Sequence, residues 1–273
     1  MRGAKARKRF GQHFLEPAWV DKVVRAIDPK PDETFIEIGP GRGALTRPLA
    51  ARAKAVVAYE IDRDLATELR DTAPPNVTVV EGDVLDRLTD QSQIPNPQSL
   101  GLRVAGNLPY NVASPIMFKL AELFGSGLPF ADATLMLQRE VADRLVAKPG
   151  TGEYGVLSVL LQHVADVQLI LKLPPGAFRP PPKVLSALVR LRFHAPDPVV
   201  ASPEMFADLV RSVFTRRRKT LSNALLAVEK GGRESLSERV SSLEQAGLDG
   251  RRRPETLTVA EFARLADAYA APR

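Results

Sequence analysis

The run Thr34-Phe35-Ile36-Glu37-Ile38-Gly39-Pro40-Gly41-Arg42-Gly43 decides the fold. Its first half is β-branched and aromatic and reads as a buried strand. Its second half is a glycine turn, and Ala44 to Ala50 then read as a helix. Strand, glycine turn and helix in that order open a doubly wound α/β sheet. Outward from this run the alternation continues. Ala55 to Tyr59 is a second strand ending at Glu60, and Asp62 is placed to cap the next helix, which carries Leu65 and Leu69. Val77 to Val80 is a third strand, followed by Gly82, Asp83 and Val84. Leu102 to Gly106 is a fourth, running into Asn107-Leu108-Pro109-Tyr110, with a helix expected from Val112 to Leu123. Ala133 to Leu137 is a fifth, followed by helices over 138–147 and 156–164. Val167 to Leu171 and Ala187 to Leu191 complete the sheet as a late pair, antiparallel in this reading.

Before the first strand lies a basic arm, residues 1–16, and then Pro17 at the start of a helix whose apolar positions run to Ile27. After His194-Ala195-Pro196-Asp197-Pro198 the pattern becomes helical only, with helices over 205–214, 220–228, 236–246 and 259–268. The expected division is a catalytic sheet domain at 1–195, including the arm, and a helical domain at 196–273.

Charge and composition narrow the partners. The net charge of +6 suits a polyanion. Arg7, Lys8 and Arg9 in the arm, Arg216-Arg217-Arg218-Lys219, and Arg251-Arg252-Arg253 form three basic runs. One such run is commonly a solvated face, whereas three favour phosphate contacts. The chain has no cysteine, which removes disulfides, thiol nucleophiles and cysteine-bound zinc. Its three histidines are scattered, so no metal site is expected. No apolar run reaches the ~20 residues of a membrane span, and no signal peptide is visible, so a cytoplasmic location is expected.

The glycine turn departs from a dinucleotide site. Gly39, Gly41 and Gly43 give G-x-G-x-G, and Pro40 lacks an N–H that a pyrophosphate cradle would use. Glu60, about twenty residues on, is placed to accept both hydroxyls of a ribose. Asp83 is placed to accept from an adenine amine, although capping or solvation would also account for either acid. A nucleoside without pyrophosphate implies S-adenosyl-L-methionine. At the next strand end, Asn107 and the Leu108 carbonyl are acceptors, Pro109 stiffens the turn and Tyr110 offers a stacking ring. That set suits an unpaired adenine, and equally a proline turn after a buried strand.

Glu37 to Gly43, Glu60, Gly82-Asp83 and Asn107 to Tyr110 resemble the ordered motifs of Rossmann-like methyltransferases acting on adenine N6. Phe10-Gly11-Gln12-His13-Phe14-Leu15 and Phe178-x-Pro180-x-Pro182-x-Val184 narrow the resemblance to rRNA adenine dimethyltransferases. It is most similar to the KsgA (RsmA) type, which dimethylates two adjacent adenines in the 3′-terminal hairpin of 16S rRNA. The resemblance implies a class I methyltransferase sheet with a smaller all-α domain, and 16S rRNA or the immature small ribosomal subunit as partner of a monomeric enzyme. It implies that His13 and Leu15 cover the cofactor, with His13 where the family often has Asn. Gly39 and Gly41 would approach its methionine part, Glu60 its ribose, and Ile61, Asp83 and Val84 its adenine. Asn107 would touch cofactor and target, and Tyr110 and Phe178 would sandwich the target base, Phe178 being otherwise a packing residue. An erythromycin-resistance type enzyme acting on 23S rRNA shares most of these motifs, and a non-catalytic nucleic-acid-binding relative shares the fold.

Overall fold

The computed structural model describes residues 13–88, 92, 94, 102–109, 112–228 and 236–270. The chain forms two compact units, one of residues up to Ala142 with Asp166–Phe193, the other of Asp143–Ala165 with the chain from His194 onward.

The first unit holds a short strand β1 (Phe14–Leu15) and then the strands β2 (Thr34–Ile38), β3 (Ala55–Glu60), β4 (Val77–Glu81), β5 (Leu102–Asn107) and β6 (Phe130–Gln138). β7 (Ala165–Leu173), β8 (Phe178–Arg179) and β9 (Ser186–Phe193) follow. Seven of them form one sheet in the order β4-β3-β2-β5-β6-β9-β7. The β2–β3, β2–β5, β3–β4 and β5–β6 pairs are parallel, and β9 runs antiparallel to β6. Every residue of β2 is buried, as its apolar run requires between two helical layers. Register sets Ile38 level with both Tyr59 and Gly106, and Glu60 level with Glu81. The carboxyl ends of β2 to β5 therefore form one edge, where ligands of such sheets bind. β2 and β5 come close only because Gly106 has no side chain, since a Cβ there would lie 2.5 Å from the Ile38 carbonyl oxygen.

β1 and β8 form a separate antiparallel pair, Phe14 opposite Arg179 and Leu15 opposite Phe178. Neither strand is legible as such, because two residues carry no periodicity. The arm thus ends as a strand at 14–15, and the expected extended loop at 178–184 begins as its partner. The helix Pro17–Ile27 starts on Pro17 and buries Val23, Val24 and Ile27. Residue Asp28 closes it in the left-handed conformation, its N–H donating to the Val24 carbonyl.

The second unit is helical. Helices Pro203–Phe214 and Val259–Ala270 bury Phe206, Leu209, Val210, Val213, Phe262, Leu265 and Tyr269 in one core. Tyr154 and Val159 belong to that core, so residues 143–165 join this unit rather than the sheet domain, which moves the expected boundary. The helix expected over 220–228 is shorter: Leu221–Ala224 is α-helical and Leu225–Ala227 tightens to a 3₁₀ turn. Among the described residues no helix is long and apolar enough to cross a membrane, and no His/Asp/Glu cluster could hold a metal.

Candidate functional site

A cavity opens at the carboxyl edge of β2 to β5, within the first unit. His13, Leu15, Gly39, Gly41, Glu60, Ile61, Asp83, Val84, Asn107, Leu108 and Pro109 all line it. These sequence-selected residues, drawn from five separate stretches, are brought together by the topology alone. Tyr110 lies outside the described residues, as do Arg7, Lys8 and Arg9.

Glu60 sits at the end of β3, 4 % exposed. One carboxylate oxygen accepts from the Gly41 N–H at 2.9 Å and the other from the Asp62 N–H at 2.9 Å. The acid therefore holds the glycine turn against its own strand end. Burial raises its pKa, and those N–H bonds oppose the rise. Gly39 and Gly41 both have positive φ, and a Cβ on Gly41 would press on the Phe14 ring at 3.1 Å. Asp83 caps the short helix Val84–Arg87 through one oxygen, Leu85 N–H donating at 3.0 Å. Capping and cavity lining coexist in this residue. Ile61 stands 47 % exposed at the rim, a large apolar side chain placed to pack on a flat ligand.

Glu37 also lines the cavity; in the sequence it stands in the first strand and opens the glycine motif, with no role of its own. The residue is 2 % exposed, and Oε2 has no hydrogen-bond partner among the described residues. Burial, with a smaller push from the Glu60 charge, raises its pKa to about 7. Among the described residues three acids, Glu37, Glu60 and Asp83, thus line the cavity, and no lysine or arginine does. That set disfavours a phosphate and suits a nucleoside that carries positive charge. A carboxylate inside a continuous apolar run looks like an exception to packing rather than part of a site.

Asn107 ends β5, its Nδ2 donating to the His13 carbonyl at 2.8 Å. Leu108 is buried, its N–H donating to the Met136 carbonyl. Phe178 requires a correction. Its ring is 2 % exposed and packs in the core with Leu15, Ala177 and Leu188, outside the cavity lining. In the free protein the ring is covered, opposite Leu15 of β1.

In the second unit the two C-terminal basic runs meet. Leu221 N–H donates to the Arg252 carbonyl and Ser222 N–H to the Gly250 carbonyl. Arg216, Arg218, Lys219, Arg251 and Arg253 are exposed. Arg217 and Arg252 are not available in the same way. Arg217 pairs with Glu255 at 2.7 Å, and Arg252 is forked onto both oxygens of Glu261. Their charges are spent inside the unit, which corrects the reading of both runs as uniform phosphate contacts.

A family model described as ribosomal RNA adenine dimethylase matches residues 3–267. The ribosomal RNA small subunit methyltransferase A of Acinetobacter baylyi is 45 % identical, over 97 % of this chain and 93 % of its own length. The Vibrio cholerae protein of the same name is 43 % identical, over 97 % and 94 %. Among solved structures, a dimethyladenosine transferase from Plasmodium falciparum has a TM-score of 0.75 at 26 % identity, covering 93 % of this chain and 96 % of that one. The 23S rRNA methyltransferase ErmE has a TM-score of 0.65 at 28 % identity, covering 94 % and 100 %.

Proposed function

We infer the activity from one premise: the chain belongs to the ribosomal RNA adenine dimethylase family. It is an S-adenosylmethionine-dependent enzyme that dimethylates N6 of two adjacent adenines in the 3′-terminal hairpin of 16S rRNA. It acts during small-subunit biogenesis, as a monomer in the cytoplasm. The observation that carries this reading is the cavity at the sheet edge, lined among the described residues by three acids and no lysine or arginine, and bordered by the acceptors of Asn107 and Leu108.

The residues fit the cofactor. When bound, S-adenosylmethionine supplies a methyl group on a positively charged sulfur. Glu60 would accept from the ribose hydroxyls, Asp83 from the adenine amine, and Ile61 would pack on the adenine ring. Gly39 and Gly41 would admit the methionine part to the backbone, and the Glu37 carboxylate would favour its positive charge. On the other side, Asn107 Oδ1 and the Leu108 carbonyl accept from the N6 amine of an extruded adenine. Those bonds draw the amine lone pair out of conjugation with the ring and fix its direction, which is catalysis by positioning. Tyr110 offers the stacking face, worth ~1–3 kcal/mol for one base. Arg216, Arg218, Lys219, Arg251 and Arg253 hold RNA phosphates.

Incubation with labelled S-adenosylmethionine and undermethylated small subunits, followed by nucleoside analysis, tests the reading. Dimethyladenine in small-subunit RNA is the expected product. Label confined to large-subunit RNA, or no transfer to either, would overturn it.

A further inference from the structure

The segment His13–Glu16 forms a strap whose first three residues line the cavity, and every residue of it is tied down. His13 Nδ1 bonds the Pro180 carbonyl at 2.7 Å. Phe14 and Leu15 pair with Arg179 and Phe178. Glu16 N–H donates to the Ala177 carbonyl at 2.8 Å, and Glu16 Oε1 pairs with Arg179 at 2.7 Å. The Phe14 ring is held between Gly41 and Arg42, with the guanidinium carbon 4.9 Å from the ring centre. The strap reaches the Asn107 side chain through the His13 carbonyl oxygen, at 2.8 Å from Nδ2.

An asparagine amide has a donor end and an acceptor end of nearly the same shape. A carbonyl tolerates only the donor end, because two oxygens facing each other repel. We propose that the strap sets the orientation of Asn107: the His13 carbonyl engages Nδ2 and leaves Oδ1 as the end offered to the target amine, with Phe14 as the positioning residue that holds the carbonyl in place. The inference rests on the methyltransferase reading for its consequence and on the geometry alone for its existence. It gives a reason for asparagine here. Aspartate would present the same acceptor to the amine while setting a carboxylate oxygen against the His13 carbonyl. It also assigns the strap a second task. The segment that covers the cofactor side of the cavity holds the acceptor on the substrate side, so loosening it disturbs both.

Two measurements test this. In ¹⁵N-labelled protein without cofactor, the Asn107 side-chain amide, assigned by its loss in Asn107→Asp, exchanges with water at least ~10-fold more slowly than exposed asparagine amides. Phe14→Ala removes that protection. In turnover at saturating S-adenosylmethionine on small subunits, Phe14→Ala lowers kcat about 10-fold, Asn107→Asp about 100-fold, and the double variant no further than Asn107→Asp. A ring that served only packing or cofactor contact would give effects that multiply, and that result would overturn the proposal. Free exchange of the Asn107 amide in the unmodified protein would overturn it independently of any variant's folding. Absent methyl transfer with the amide still protected would sink the methyltransferase reading and leave the orientation standing.

Discussion

Glu37 is buried among apolar neighbours with one oxygen unbonded, a costly arrangement unless a positive charge meets it. Thr46 and Glu60 face it, and the Arg47 charge acts from further off. Its sign is fixed by its raised pKa. The folded protein holds this proton up to about pH 7, whereas an unfolded chain releases it near 4.5. The folded state binds more protons in that window, so its contribution makes stability fall as pH rises from 4.5 to 7, by at most about 3 kcal/mol. Glu37→Gln should flatten that slope in urea denaturation between those limits; an unchanged slope would assign it to other groups. A cation entering the cavity favours the ionised form, so S-adenosylmethionine binding should release a proton near pH 7 and tighten as pH rises. Calorimetry in buffers of different ionisation heat reads that proton, and Glu37→Gln should abolish it. Glu60, Asp83 and Asn107 were legible because each stands at or just past a strand end on the carboxyl edge, where ligands of such sheets bind. Glu37 was legible only as the opening residue of the glycine motif, because it lies inside a buried strand. Gly106 escaped for the opposite cause, since its role is the absence of a Cβ at a contact that only the register reveals.

At the scale of elements, the helix Pro17–Ile27 is fastened to the sheet by charge as well as by apolar packing. Arg103 on β5 is 6 % exposed; it forks onto Asp132 at 2.8 and 2.9 Å and reaches Glu33 at 2.8 Å. It also donates to the carbonyls of Ile27 and Asp28, while Arg190 on β9 donates to those of Ala26 and Ile27. Two guanidinium groups thus satisfy the carbonyls that end the helix. Arg103→Met should cost ~3–5 kcal/mol, because Asp132 and Glu33 lose their main partner in the interior. Chemical denaturation measures this, and a loss under ~1 kcal/mol would mean that the network relaxes around the gap. Because this helix follows directly on the strap, its anchoring also fixes where His13–Glu16 ends. The long strands were readable from sequence, since burial on both faces demands continuous apolar runs. The β1–β8 pair and the reassignment of residues 143–165 were not. One is too short for a pattern, and the other depends on which core Tyr154 and Val159 enter, which local periodicity does not encode.

For the whole molecule, the question is how much of a +6 chain acts on RNA and how much on itself. The basic runs look equivalent as sequence, yet the helical unit divides them. Arg217 and Arg252 face Glu255 and Glu261 and reach the carbonyls of Thr151 and Thr256, so they tie residues 143–165 and the 249–256 turn into the unit. Arg218, Lys219 and Arg253 are exposed and make no ion pair among the described residues. Arg251 pairs only with Asp249 at the surface, a bond that solvent weakens and a phosphate can replace. Replacing Arg218, Lys219 and Arg253 together with alanine should weaken rRNA binding and reduce the slope of log affinity against log salt by roughly two to three, because fewer counterions are released. Arg217→Ala and Arg252→Ala should instead lower the unfolding temperature of the protein and leave that salt slope nearly unchanged. Filter binding across a salt series, paired with thermal unfolding of each variant, separates the two groups. If all five arginine and lysine positions lowered the slope alike, the internal ion pairs would have to open on binding, and the patch would be larger than the free protein presents.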